Sequence, residues 1–205
     1  MPLLSAKVAE KFNEREAAKQ SGGNALYLNP GDISEEKGAR VTPLGDDSVT
    51  GFHVWIGNSK PRTKLVFADE PTRDDIAQRC DDVGIACTGK ERITQFFGFF
   101  VWNYETETVQ YFEFSQVALT KGIVELLSDE EIAEEPGNFD WKIKVDRSTE
   151  FPTYSVMGVP GFRRKEPHAS QIAKAWEAVE AKNPNLQVAL MGGDVFTGTV
   201  KACPF

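Results

Sequence analysis

The spacing of apolar positions divides this chain into segments of different rhythm. Leu4, Val8 and Phe12 recur at helical intervals within residues 3–20, and Ser21-Gly22-Gly23 closes that run. Residues 1–38 read as an N-terminal helical arm, too short to bury a core of its own. From Ala39 the texture turns to strand. Arg40-Val41-Thr42-Pro43-Leu44 predicts an edge strand, because Pro43 cannot donate to a ladder, and Asp46-Asp47 marks a turn. Val49–Ile56 and Lys64–Ala68 predict two more strands. Residues 69–92 are polar and irregular, an inserted excursion with a short helix around Asp74–Asp82.

Ile93–Tyr104 and Thr108–Phe114 then predict a hairpin turning at Glu105-Thr106-Glu107. Val117, Leu119, Ile123, Val124, Leu126 and Leu127 follow at helical spacing, with Ser115 placed to cap the helix. Trp141–Val145 and Thr153–Met157 predict a final strand pair. His168–Ala181 predicts a helix with Ile172, Trp176 and Val179 on one face, and a last apolar stretch covers Leu186–Met191. Three strands, a hairpin, a helix and a second hairpin make a mainly β chain. That order matches a five-stranded Greek-key barrel of the oligonucleotide/oligosaccharide-binding type, with N- and C-terminal helical extensions. The boundaries fall at 1–38 for the arm, 39–160 for the barrel and 161–205 for the C-terminal extension.

The first hairpin is unusual in being apolar on both faces. One parity is Phe96, Gly98, Phe100, Trp102 and Tyr104; the other is Phe97, Phe99, Val101 and Asn103. A sheet with one wet face needs only one apolar parity. Either a terminal helix packs on the second face, or that face stacks the bases of a single-stranded nucleic acid. The platform expected under the second reading is Phe96, Phe100, Trp102 and Tyr104. Tyr111 on the returning strand joins it, and Gly98 leaves room for a base, while Phe97, Phe99 and Val101 point inward.

Charge sharpens the picture. The 205 residues carry a net charge of −8, which argues against polyanion affinity over the whole surface. The charge is partitioned, however. Gly51–Ala68 holds Lys60, Arg62 and Lys64 and no acid, whereas Glu125–Asp140 holds seven acids and no base. Strand alternation sets Lys60, Arg62 and Lys64 on one face near Trp55, as a phosphodiester backbone beside a stacked base requires. A lysine-defended edge strand is the competing reading. Lys142 and Lys144 repeat the device, Arg147 extends it, and Arg163, Arg164 and Lys165 form a basic triplet.

Other chemistries find less support. Cys80, Cys87 and Cys203 are too scattered for a disulfide framework, and no metal or other cofactor is expected. The chain lacks the Gly-x-Ser-x-Gly, phosphate-loop and His-Glu-x-x-His patterns. Two alternatives remain: a Mg²⁺ nuclease using Asp140 and Lys142, and a protein-interaction module whose second aromatic face takes a partner helix. No apolar run is long enough to span a membrane, and the N-terminus lacks the stretch of a secretion signal, so an intracellular protein is expected.

Phe99-Phe100-Val101-Trp102-Asn103-Tyr104 with Val109–Gln116 resembles the central hairpin of bacteriophage single-stranded DNA-binding proteins. Asp140–Val145 and Thr153–Val156 are similar to that family's final strand pair, and Gly51–Trp55 with Lys60-Pro61-Arg62 to its opening strands. The matches run in order over residues 39–160. The resemblance implies an oligonucleotide-binding fold and sequence-tolerant binding of single-stranded DNA, without catalysis. It further implies a role in phage replication or recombination in the bacterial cytoplasm, replication partners, and self-association on DNA. Two features depart from the family. Residues 69–92 hold only two cysteines where some relatives carry a zinc insertion, and the terminal Pro204-Phe205 follows no acidic run.

Overall fold

A computed structural model of the chain describes residues 26–57, 62–130, 132, 139–161 and 165–200. The predicted N-terminal helix, Lys60, Arg163, Arg164, Cys203 and most of the acidic stretch 128–138 lie outside them. The described chain is mainly β. Its strands are β1 (Tyr27–Leu28), β2 (Ala39–Ile56), β3 (Thr63–Phe67), β4 (Ile93–Asn103), β5 (Thr108–Phe114), β6 (Phe139–Asp146) and β7 (Thr153–Pro160). Helices α1 (Arg73–Asp82), α2 (Val117–Leu127) and α3 (His168–Glu180) accompany them, with short 3-10 turns at Pro30–Asp32 and Leu186–Met191.

All seven described strands belong to one curled mixed sheet with the order β1-β5-β4-β2-β6-β7, and β3 pairs with β2 off that path. The spine is β2, 18 residues long. One of its edges pairs with β4 along most of its length. The other pairs with β6 at Ala39–Val41 and with β3 at Phe52–Ile56. The two strands expected on either side of Asp46-Asp47 are therefore one. Gly45, at φ +69°, and the exposed residues Asp46, Asp47 and Ser48 bulge out between the Leu44–Phe100 and Val49–Gly98 pairs, and the chain does not reverse. Pro43 falls in the stretch between β6 and β3, where a residue without an N–H is tolerated.

Register fixes which side chains share a face. Leu28, Val41, Val101, Phe112, Phe114, Trp141, Ile143 and Val145 meet Leu119 and Ile123 of α2 in one buried cluster. The strands on either side of β2 draw together there, with the Phe99 ring of β4 and the Trp141 ring of β6 5.4 Å apart between centroids, so this is the concave side. The convex side carries Leu44, Val49, Phe96, Phe100, Trp102, Val109 and Tyr111 against Ile172 and Val179 of α3 and against Leu186, Val188, Val195 and Phe196.

Local signals explain the helix ends. Thr72 and Asp75 close a reciprocal capping box on α1, which begins one residue before the expected helix. On α2 the residue in the cap position is Gln116, not Ser115, and its side chain makes no cap bond to the helix. Its Oε1 instead accepts from the Ser115 backbone N–H.

Residues at the crossing of sheet and C-terminal cover should govern stability. Phe100 is 4% exposed and touches the rings of Tyr111, Trp176 and Phe196. Phe100→Ala is expected to lower the unfolding free energy by roughly 3–5 kcal/mol in urea titrations; a ring facing solvent would cost far less.

Candidate nucleic-acid interface

The two faces of the β4–β5 hairpin set the boundaries of any binding surface. The ring platform read from the sequence is buried: Phe96, Phe100, Trp102 and Tyr111 are each at most 4% exposed. The residues that seal it are Ile172, Trp176 and Val179, the face predicted for the C-terminal helix, together with Leu186, Val188 and Phe196. Of the two readings of the doubly apolar hairpin, the packed one holds for this face. Gly98 offers no space to a base either, because the Tyr111 ring and hydroxyl fill the position a Cβ would take.

Tyr104, at the end of the same parity, is half-buried and engaged. Its hydroxyl bonds Asp140 Oδ1 at 3.0 Å, and the Arg40 guanidinium lies 5.5 Å from its ring centre. In the opposite parity, expected to point inward, Phe97 and Phe99 are more accessible than Phe96, Phe100 and Trp102. Val101 is fully buried, while Phe97 and Phe99 are half-buried along an apolar pocket of about 470 Å³ against Phe114, Trp141 and α2.

Asp140, one of the two residues of the nuclease alternative, is engaged within the fold. Its side chain is fully buried, pairs with Arg40 at 2.8 Å and accepts from Tyr104. A carboxylate out of water must be paired and hydrogen-bonded, and both partners stand on neighbouring elements of the core. Among the described residues no group of three or more His, Cys, Asp or Glu could hold a metal ion. Cys80 is buried and Cys87 half-buried in one small cluster, and burial pushes the Cys80 thiol up to about 11.

The predicted cations divide into two groups. Arg147 is structural: its guanidinium donates to the backbone oxygens of Gly31 and Ile33, both at 2.9 Å, and fastens the Pro30–Asp32 turn to β6. Lys144 is exposed, Lys142 half-buried and Lys165 exposed. Lys142 faces the same side of the sheet as the Met157 across from it, by register.

The other group gathers at the far end of the sheet. Trp55 pairs across β2–β3 with Lys64, and His53 with Val66, so His53, Trp55 and Lys64 share the convex face. Trp55 is 46% exposed, the most accessible tryptophan among the described residues. Lys64 pairs with Glu113 on β5, its ammonium 5.3 Å from the Phe96 ring centre. Arg62 is exposed beside them.

The sequence reading missed what closes this end. The excursion after β3 folds back so that Ala86, Thr88, Lys90 and Glu91 join Trp55, Gly57 and Arg62 around a polar cleft of about 300 Å³. Arg73 on α1 fastens the return by donating to the Glu91 backbone oxygen at 2.7 Å. The Thr88 backbone N–H and hydroxyl both donate to Glu91 Oε1, and the N–H bond above all holds that carboxyl below its ordinary range. The Thr-x-x-Glu spacing was the available sequence signal, but it announces a local turn rather than a site. Two cations and an exposed indole beside one fixed carboxylate can stack a flat ring and neutralise phosphates.

No protein-family model matches the chain, and no curated protein is similar to it at a significant level.

His53 supplies a titration test of this end. Its ring stacks on Phe96 at 5.8 Å, its Nδ1 is buried without a described partner, and burial, then the Lys64 charge, hold its pKa below the ordinary value. The unfolded imidazole takes a proton near pH 6.5 and the folded one resists until lower pH. The stabilisation is therefore complete above about pH 6.5 and lost as pH falls below it. Urea unfolding between about pH 7.5 and about pH 5.5 should show this slope in the wild type and a flatter one in His53→Phe.

Proposed function

We propose that this chain binds single-stranded DNA without strong sequence preference, as a non-catalytic protein. The observation that carries the reading is an exposed Trp55 flanked by Arg62, Lys64 and Lys90 at the open end of a curled sheet. Stacking on an indole is tolerant of sequence because every base has a π face, and the cations track the backbone.

The strand path supports an oligonucleotide/oligosaccharide-binding fold. A long bent strand β2 pairs with β4, β4 with β5, α2 follows, β6 returns to the start of β2, and β7 pairs with β6. This order is compatible with that Greek-key barrel, with the helix taken as lying between its third and fourth principal strands. The described strands leave it a half-barrel, since no β5–β7 pairing closes it. Lys142 and Lys144 lie on the same face by register at the other end of the sheet, separated from Trp55 by the C-terminal cover. Together with the sequence resemblance, the activity fits a role in phage DNA replication or recombination.

Trp55 is the residue to test. Oligo-dT should quench tryptophan emission, and log affinity should fall linearly with log salt. Trp55→Ala should weaken binding by on the order of 1–3 kcal/mol per stacked base. Arg62→Ala should reduce the salt slope by about 0.7 if that side chain neutralises one phosphate. Equal affinity for duplex DNA, or full affinity in Trp55→Ala, would refute the reading.

A further inference from the structure

The path of the chain after β3 brings Cys80 and Cys87 to one place. Cys80 lies on the buried face of α1 and packs with Val54, Ile56, Leu65 and Ile76. Beyond the helix the chain reverses. The Gly84 N–H donates to the Asp81 backbone oxygen at 3.0 Å, and the Ile85 N–H to the Cys80 backbone oxygen at 2.9 Å. Gly84 sits at φ +66°, a conformation that glycine adopts without strain. The return lays Cys87 against the same cluster, its thiol within hydrogen-bonding reach of the Cys80 thiol. Cys80 is 1% exposed, whereas Cys87 is half-buried.

Free cysteines in a core ordinarily act as small, inert hydrophobes. Two features set this pair apart. Each thiol has the other as a neighbour, and Cys87 stands between Ala86 and Thr88, which both line the cleft beside Trp55. A metal ion would need further ligands, and among the described residues no group of three or more His, Cys, Asp or Glu could hold one. Two adjacent thiols can instead exchange with an external disulfide.

We infer that Cys80 and Cys87 form a reversible disulfide by exchange with a small-molecule disulfide such as oxidised glutathione, and that this bridge fastens the cleft-lining segment 86–91 to α1. Half-buried Cys87 is the entry point. Its thiolate attacks one sulfur of oxidised glutathione, forming a mixed disulfide and releasing one glutathione. Cys80 then attacks the Cys87 sulfur, the mixed S–S bond breaks, and the second glutathione leaves. The two cysteine sulfurs give up two electrons, which reduce the external disulfide, and their two protons end on the released glutathiones. Burial first, and the neighbouring Cys87 thiol next, hold the Cys80 thiol above its ordinary pKa. The second step is therefore the slow one and quickens as pH rises. At its other end the segment is already tied by Arg73, which donates to the Glu91 backbone oxygen at 2.7 Å, so the bridge holds it at both ends.

The test uses the full chain carrying Cys203→Ser, which leaves these two thiols as its only cysteines. The protein is equilibrated in glutathione buffers from fully reduced to fully oxidised, quenched in acid, alkylated and mapped by mass spectrometry. Tryptic peptide 80–90 contains both cysteines. It should take two alkyl groups from reduced buffer and none from oxidised buffer, where it should be two hydrogens lighter. Native tryptophan emission should not change. Trypsin should cut the folded, oxidised chain after Lys90 severalfold more slowly than the reduced chain. Cys80→Ala should stop at a glutathione adduct on Cys87, and Cys87→Ala should leave Cys80 unmodified. The disulfide is overturned by free thiols in fully oxidised glutathione, by a glutathione adduct that persists on Cys87 with Cys80 present, or by a bridge that forms only as native emission collapses. Equal cleavage after Lys90 in the two states overturns the fastening. Should either alanine variant fail to fold, the mass and alkylation of peptide 80–90 with both cysteines in place decide the matter. None of these readouts involves nucleic acid, so the outcome is independent of the single-strand reading.

Discussion

The architecture follows from one constraint: a hairpin that is apolar on both faces has to be covered twice. On the concave side the cover is α2 with β6, through Leu119, Ile123 and Trp141. On the convex side it is the C-terminal segment, through Ile172, Val179, Val188 and Phe196. Rings of this size contribute most of their stabilisation through area removed from water, so neither cover is dispensable once the pattern of β4 is set. What stays accessible is decided by where the covers stop. On the convex face Leu190 of the C-terminal segment lies against Gly51 and the cover reaches Val66, the cross-strand partner of His53, while Trp55 stays exposed.

Polar groups inside this double-layered interior are managed unevenly. The Arg40–Asp140–Tyr104 group is a buried charge with its partners in place, joining β2, β4 and β6. Asn103 and Gln110 satisfy one another across β4 and β5 at 2.8 Å. By contrast, Trp102 Nε1 and Tyr111 Oη are buried without described partners on the convex side. The Tyr111 hydroxyl is correspondingly held above its ordinary pKa, by burial first. These amphipathic rings were legible as ligand-stacking groups because tryptophan and tyrosine usually keep one polar tip wet. Here the C-terminal segment has covered them, tips included.

Much of the fold could be read from the chain. The strands from Ala39 onward, the helix between the hairpins and the helix around Trp176 follow from period and punctuation, whereas β1 lies in the stretch read as an N-terminal arm and joins the sheet beside β5. The bulge did not, because Gly45-Asp46-Asp47-Ser48 carries the composition of a turn and only the pairing of both flanks with β4 reveals one strand. The candidate site was half legible. Trp55, Arg62 and Lys64 share a local pattern, and alternation along a strand is enough to find them. Lys90 and Glu91 come from some thirty residues further along, through the fold-back of a segment whose polar texture gives no hint of its destination. Local pattern could say that β4 had two apolar faces, but which of them met solvent depended on residues 168–196. Arg147 misled for a related reason: a guanidinium near other cations looks like a phosphate contact until the two carbonyl oxygens it holds are seen.

The long strand β2 belongs to three pairings at once, so its residues answer to several neighbours simultaneously. Lengthening or shortening it by a single residue would swap inner and outer side chains against β3, β4 and β6 together. Only the protrusion at Gly45–Ser48, where register is already broken, and the connections beyond its ends can absorb insertions. Variation among descendants of this chain is thereby channelled towards its loops, and the segment that builds the cleft beside Trp55 is one of them. The backbone holds still while the pocket is free to evolve.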